Sequence, residues 1–295
     1  MIIVKLNGGL GNQMFQYALG RQLAHRNNVD VRLDITEFEK YPLRSYRLDN
    51  FNIIEKIATK QEIKNLKREN NRYSKFFFDT SERLVPYYKR SVVREQGFNF
   101  DPNILRIRKN AYLEGYWQSE KYFRDSEMVI RNEFTLRNPP DAINQRFIDD
   151  ITRHESVSIH IRRGDYVSDP ATNQTHGIIP TEYYQKAIEK IGEEVDNPRY
   201  FLFSDDHQWV KDNFPSDDLV TCVTHNSFNS DHEDLRLMSL CNHHIIANSS
   251  FSWWGAWLGK NPDKIVYAPK KWFGTDAFNK STSDLFPQAW KTIEV

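Results

Sequence analysis

Charge of one sign is what this sequence most plainly lacks. Its 295 residues carry 40 Lys and Arg against 40 Asp and Glu, a formal net charge of zero. That excludes the broad positive surface by which proteins hold nucleic acid. Cysteine is scarce as well. Cys222 and Cys241 stand alone, with no Cys-x-x-Cys, too few for a disulfide framework, and a reducing, cytoplasmic setting is expected. No apolar run approaches the roughly 18 residues of a membrane-spanning helix. The start, MIIVKLNGGLGNQ, has too short an apolar stretch for a secretory signal. Internal repeats and low-complexity tracts are missing too. Hydrophobic residues at 39% and aromatics at 14% suffice for a core, so disorder is excluded as the main state.

What is present is an alternation of strand and helix patterns. The run 2–6 reads as a buried strand, followed by the glycine turn Asn7-Gly8-Gly9-Leu10-Gly11 and a helix over 12–25, with Phe15, Leu19 and Leu23 at helical spacing. A second strand is expected at 29–33 and a helix at 60–72, while the aromatic stretch 112–123 has no clear assignment. Arg137-Asn138-Pro139-Pro140-Asp141 reads as a linker, because two prolines break any element. After it come strands at 156–161, 200–203, 219–223, 244–247 and 265–267. Helices at 181–195 (Thr181 as N-cap), 208–213, 234–241 and 252–258 separate them. This alternation predicts parallel sheets with helices on both faces. Two Rossmann-like domains, 1–145 and 146–295, are expected to face each other across a cleft, with the last residues packing back on the first. Ligands of such domains bind at the C-terminal ends of the strands.

Four constellations carry chemistry. The turn Asn7–Gln13 has the strand–glycine–helix geometry that holds an anion on backbone N–H groups. It lacks both the third glycine of a dinucleotide fingerprint, Met14 standing there, and the Gly-Lys-Ser/Thr of a phosphate loop. A tight turn needing positive φ is the alternative. In His160-Ile161-Arg162-Arg163-Gly164-Asp165-Tyr166, an extended strand puts His160 and Arg162 on one face. Arginine is the residue for bidentate phosphate contact, and an ion pair between an arginine and Asp165 is the alternative. The tripeptide Arg163-Gly164-Asp165 would serve no adhesion role in a reducing compartment. Phe203-Ser204-Asp205-Asp206 could meet a ribose, a metal or a helix N-terminus. No strict Asp-x-Asp occurs in the chain, so no catalytic metal is expected. Ala247-Asn248-Ser249-Ser250-Phe251-Ser252-Trp253-Trp254 reads as strand, hydroxyl-rich turn and helix, an anion site or an ordinary cap above buried tryptophans. His225, His232, His243 and His244 lack metal-ligand spacing, and no nucleophile is paired with a base.

Together the blocks GGLGNQMFQYALG, GYWQSEKYF, HIRRGDY with FSDD, and DLRLMSLCNHHIIANSSFSWWGAWL resemble the bacterial α-1,2-fucosyltransferases of glycosyltransferase family 11. The resemblance implies a GT-B fold, an acceptor-side first domain and a donor-binding second domain. It implies GDP-fucose as donor with inversion, no metal or other cofactor, and the 2-hydroxyl of a terminal galactose in a glycan as acceptor. By that resemblance His160 and Asp234 would hold the guanine, Arg162 the β-phosphate, and Ser249, Ser250 and Phe251 the diphosphate. Asn12 and Gln13 would reach the donor from the first domain. The base does not carry over, since the glutamate that related α-1,6 enzymes place after the arginines is missing. Asp165 and His176 are the candidates near that loop. Arg163 is expected to pair with Asp165 or to reach the loop. Another GDP-sugar transferase of the same fold, or a non-catalytic nucleotide-sugar or glycan-binding protein, are the competing readings. Peripheral attachment at the inner membrane face is expected if the acceptor is lipid-linked.

Overall fold

The computed structural model describes residues 1–294 apart from 41–43, 70–83, 109, 215–217 and 280–281. The chain divides into two units, Met1–Arg137 with Ser283–Phe286, and Asn138–Thr282 with Pro287–Val295. The division falls at the start of the proline-bearing segment 137–141 rather than at 145/146. The reason is local. Asp141 accepts the Asn144 N–H at 2.7 Å and caps a helix that belongs to the second unit.

In the first unit the order is β1 (Ile2–Lys5), α1 (Leu10–Asn27), β2 (Val31–Asp34), α2 (Lys60–Lys67), β3 (Val92–Arg94), β4 (Ala111–Glu114) and α3 (Glu127–Glu133). Its sheet runs β2-β1-β4-β3, all parallel. Ile2, Ile3 and Val4 are fully buried, as a parallel strand covered on both faces requires. Helix α1 extends beyond 12–25 at both ends and stops where Asn28 turns left-handed, its N–H bonding the carbonyls of Ala24 and His25. The helix lies close on β1. A Cβ at Gly20 would overlap the Cγ2 of Val4. Helix α2 opens on a capping box between Thr59 and Glu62 and ends at a left-handed Arg68, short of 72. Residues 70–72 of the expected helix lie outside the described residues. The unassigned stretch 112–123 supplies most of β4, one of the two inner strands, and the loop after it.

The second unit follows as α4 (Ala142–Arg153), β5 (Ser156–Ile161), α5 (Gly164–Ser168), α6 (Pro170–His176), α7 (Thr181–Glu194), β6 (Arg199–Ser204), α8 (His207–Asn213), β7 (Val220–Val223), α9 (Asp231–Leu240), β8 (His243–Ile245), α10 (Ser250–Leu258), β9 (Val266–Pro269), α11 (Asp276–Asn279) and β10 (Lys291–Ile293). The sheet order is β10-β9-β8-β5-β6-β7, again all parallel. Alternate residues of β5 and β6 serve opposite layers. Val157, Ile159, Ile161 and Leu202 pack with Tyr183, Tyr184, Ala187 and Ile191 of α7. Phe201 and Phe203 pack with Ile151 of α4 and Leu237 and Met238 of α9. Pro180, not Thr181, occupies the cap position of α7. Its fixed φ holds the extended entry that a capping side chain would otherwise secure. Among the described residues no helix is long and apolar enough to cross a membrane.

Strand order locates the sites. The first sheet builds outward from β1 to β2 and then continues on the other side through β3 and β4. The second builds from β5 to β6 and β7, then returns to the other side with β8. The direction reverses between β1 and β4, and between β5 and β8. Ligands of doubly wound sheets bind at such reversals, outside the carboxyl ends of the strands.

The contact at Gly20 gives a first test. Gly20→Val drives two further methyls into the fixed, β-branched Val4 and is expected to cost about 1–3 kcal/mol of stability, read as a lowered urea midpoint at unchanged slope.

Candidate functional site

The β5–β6 register builds the centre of the site. Ile161 pairs with Ser204, so the next residues, Arg162 and Asp205, leave the sheet side by side. Arg162 Nη1 donates to Asp205 Oδ2 at 2.7 Å. The backbone N–H of Arg163 donates to Asp205 Oδ1 at 2.9 Å, and the Gly164 N–H adds to the same carboxylate. Burial alone would raise the Asp205 carboxyl. Arg162, the two N–H groups and His160 together hold it below the usual carboxylate range. Gly164 has to be glycine here, since a Cβ would overlap Asp205 Oδ2. The expected pairing of Arg163 with Asp165 falls on a side chain outside the described residues. Arg163 bonds Asp206 at 3.3 Å and lies over the Trp209 ring at 4.1 Å, since the loop after β6 runs directly beside it. Asp206 also caps α8 through the Trp209 N–H at 3.1 Å.

His160 is buried at the end of β5, 4% exposed, and its Nδ1 has no hydrogen-bond partner in the protein. Burial pushes its imidazole down to about 4, with Asp205 opposing and Arg162 assisting. It is therefore neutral at physiological pH. Its ring lies 5.4 Å from Phe251. On the other side an aromatic column braces Arg162. The guanidinium lies 5.4 Å from the Tyr166 ring, His176 stacks on Tyr166 at 5.0 Å, and Phe273 follows at 5.8 Å. The Tyr166 hydroxyl donates to the Asn248 carbonyl at 3.2 Å. Asn248 in turn donates to the carbonyls of His176, Gly177 and Trp272. One buried asparagine thus joins the β8 loop to the end of α6.

After β8 the hydroxyl turn opens α10. Ser249 accepts the Phe251 N–H at 3.3 Å, a cap. Ser252 bonds back to the carbonyls of Ala247 and Ser249. Trp253 and Trp254 are fully buried, and Gly255 presses α10 onto Met238 of α9. The N-terminus of this nine-residue helix therefore opens at the β5/β8 reversal, with partial positive charge on its N–H groups. Asp234 lies in the first turn of α9 and accepts from Asn226 at 2.8 Å. Asn226 exchanges two amide bonds with the buried Asn144. Burial pushes the Asp234 carboxyl up to about 7 against the Asn226 bond, with Asp231 and Glu233 adding to the rise.

The structure thus sets Arg162 and Ser249–Phe251 after the neighbouring strands β5 and β8, and sets His160 against Phe251, which packs with Leu237 and Met238 one turn after Asp234. In the first unit Asn12 and Gln13 form the start of α1. Gln13 is fully buried, and its amide bonds Gly8, Ser45 and Arg47. It holds the turn. Half-buried Asn12 accepts from Gln118 at 2.9 Å. Asp165 lies in α5 with its side chain outside the described residues. Sequence reading singled out Asp205 within Phe203–Asp206 but not as the partner of Arg162, and it gave Tyr166, Asn226 and Asn248 no role of their own. The pairing itself had one signal, an acidic pair following a strand and two arginines following another. Among the described residues no group of three His, Cys, Asp or Glu could hold a metal ion.

Comparison with known proteins gives the setting for this geometry. The model of glycosyl transferase family 11 matches residues 1–294. An alpha-1,2-colitosyltransferase of Escherichia coli is 33% identical over 305 residues, covering 100% of this chain and 99% of that protein. The O-antigen biosynthesis glycosyltransferase WbnK of Escherichia coli is 34% identical over 300 residues, covering 95% and 97%. Among solved structures, a mutant of Arabidopsis thaliana FUT1 in complex with GDP superposes with a TM-score of 0.51 at 12% identity, over 94% of this chain and 72% of that one. The fold class is accordingly α/β of the GT-B type.

The raised Asp234 carboxyl has a measurable consequence. A folded pKa of about 7 against 3.8 unfolded contributes stability that is complete below about pH 4 and lost as pH rises through about 7. Asp234→Asn removes that dependence. Its stability relative to the wild type is expected to increase between pH 5 and pH 8 in urea titrations. The titration of His160 is common to both proteins and cancels. A difference that does not change with pH would rule the assignment out.

Proposed function

We propose that this chain, which belongs to glycosyltransferase family 11, transfers L-fucose from GDP-β-L-fucose to the 2-hydroxyl of a terminal galactose, with inversion. The observation that carries this reading is a guanidinium fixed beside a helix N-terminus at the β5/β8 reversal. Displacement at the fucose anomeric carbon releases GDP, and negative charge grows on the β-phosphate oxygen. A donor already aimed at that oxygen strengthens its contact as the bond breaks, and only such differential contact accelerates the step. Arg162 fits this role. Its planar fork carries five donors, so pairing with Asp205 and contact with a phosphate are compatible. Ser249, Ser250 and the first N–H groups of α10 would receive the rest of the diphosphate.

Neutral His160 and the Asp234 carboxylate suit the guanine, whose N1–H and amino group are donors. Asp234 would bind it as the ionised form, so nucleotide affinity would weaken below pH 7. Asn12 is assigned to the donor on its place in the Gly-Asn-Gln turn. No cofactor is required in this reading. The two carboxylates after β6 are already paired with Arg162 and Arg163. The placement of His176, stacked on Tyr166 and tilted against Phe273, supports a bracing role for it, and leaves Asp165 as the candidate to take the proton of the acceptor hydroxyl. A glycan of the O-antigen kind, lipid-linked at the inner membrane face, is a suitable acceptor.

A second reading has one specific observation in its favour, the full-length similarity to a colitosyltransferase. Colitose is fucose without the 3-hydroxyl, so the two readings differ in a single donor group. A site that hydrogen-bonds that hydroxyl would reject the deoxy sugar strongly, whereas an apolar site would not.

The test is GDP release with EDTA present, from GDP-fucose and from GDP-colitose, with and without lactose. Lactose-dependent release from GDP-fucose is expected. Arg162→Ala should lower it by roughly 10²–10³, and linkage analysis of the product should give the 2-position. GDP binding without turnover on lactose and a panel of galactosides would replace the enzyme by a binding protein. Preference for GDP-colitose would replace the donor.

A further inference from the structure

We propose that Glu95 is a positioning residue, whose carboxylate locks a left-handed turn at Trp117 and thereby fixes, through Gln118, the carboxamide of Asn12. The inference rests on the reading above only in taking Asn12 to serve the sugar nucleotide.

Register again supplies the starting point. Arg94 of β3 pairs with Glu114 of β4, so Glu95 and Gly115 leave the sheet side by side. A Cβ at Gly115 would stand 2.5 Å from Glu95 Cβ and 2.8 Å from Trp117 Cε2. The bare backbone lets the loop fold back over the carboxylate. Glu95 Oε2 accepts the Tyr116 N–H at 2.6 Å, and Oε1 accepts the Trp117 N–H at 2.9 Å. Both oxygens of one side chain thus hold two successive peptide groups. Trp117 between them has φ of 58°, a conformation that bulky side chains avoid because Cβ meets the following carbonyl. It cannot relax by swinging outward. Its ring is 1% exposed and stands edge-on to Tyr122 at 5.8 Å.

The turn delivers one side chain to a particular place. Ser119 N–H closes onto the Trp117 carbonyl at 2.8 Å, and Ser119 Oγ donates to the Asp284 carbonyl at 2.6 Å. Gln118 is left directed at the start of α1, where its Nε2 donates to Asn12 Oδ1 at 2.9 Å. The Asn12 amide is also packed over Gly8, itself at φ 73°, where a Cβ would lie 2.6 Å from Nδ2. Asn12 is therefore oriented from both sides, at the β1/β4 reversal where a parallel sheet presents its ligand. A strained residue held by a dedicated, half-buried carboxylate at such a place is a device for positioning. A glycine at 117 would make the same turn without strain.

The experiment is a pair of double-mutant cycles in kcat/KM for GDP-fucose, with Kd for GDP and a thermal melt on each protein. The variants are Glu95→Gln, Gln118→Ala and Asn12→Ala, singly and with each of the first two combined with the third. Glu95→Gln keeps the shape but turns one acceptor into a donor facing an N–H. It is expected to lose on the order of tenfold to a hundredfold, the scale of a small misplacement at a reacting centre, and Gln118→Ala the same. In the Asn12→Ala background both should cost less than about threefold, because the group they orient is gone. Equal losses in both backgrounds would mean a merely structural role and overturn the inference. If Glu95→Gln melts too low to assay, the Gln118 cycle decides alone. An Asn12→Ala variant with wild-type rate and affinity would also overturn it, while leaving the proposed function intact. A wild type that binds GDP without turnover would defeat the proposed function instead, and the cycles would then be read in Kd.

Discussion

One carboxylate, that of Asp205, decides how the second sheet ends. It gathers a guanidinium and two peptide N–H groups within hydrogen-bond reach, and so draws the chain leaving β5 toward the chain leaving β6. Arg162 is then held over Tyr166, whose hydroxyl reaches the Asn248 carbonyl and connects to the turn before α10. A half-buried guanidinium without such a partner would carry a desolvation cost. Asp205 offsets it in advance, and leaves the cation oriented rather than free to rotate. The neutrality of His160 belongs to the same arrangement. Burial removes its proton, and Arg162 beside it opposes a second positive charge.

How much of this could be read from residues alone depended on where each residue sits in a strand. Runs such as Ser156–Ile161 and Arg199–Ser204 are continuous and apolar enough to declare themselves as buried parallel strands. Val92–Arg94 and Lys291–Ile293 are three residues long at sheet edges, too short to show any period, and were passed over. The ends of α1 ran past the pattern because Leu10 and Asn27 are set by a glycine turn and a left-handed cap, not by apolar spacing. In the site, His160, Arg162 and Ser249 were visible because their residue types are costly at strand and helix ends. Their partners were not. Asp205 meets Arg162 only because Ile161 pairs with Ser204, and register between strands some forty residues apart is a tertiary fact. The pairing of Arg163 with Asp206 follows from the same register.

Both units solve a common problem in a common way. In each, an acidic residue immediately after a strand stands beside a glycine or an arginine immediately after its neighbour, and the carboxylate collects backbone N–H groups from the adjoining loop. Asp205 does this for Arg163 and Gly164, Glu95 for Tyr116 and Trp117. Their charge environments differ. Asp205 faces a guanidinium and stays below the ordinary range, whereas burial raises Glu95 with only N–H dipoles to oppose it. One arrangement suits a permanently charged contact. The other suits fixing a backbone in a conformation it would not adopt alone.

The segment Ser283–Phe286 belongs to the first unit although the chain on either side of it belongs to the second. Asp284 is its anchor. It bonds the Phe100 N–H at 3.0 Å, pairs with Lys121, and receives Ser119 Oγ on its carbonyl. The covalent chain therefore passes between units three times rather than once, and neither unit is a contiguous stretch of sequence. Chimeras that exchange halves between relatives at a single junction near 137 would pair an N-terminal half with a foreign anchor beneath its own Ser119 turn. A functional exchange would have to carry these four residues together with the first 137, as one module interrupted by residues 138–282.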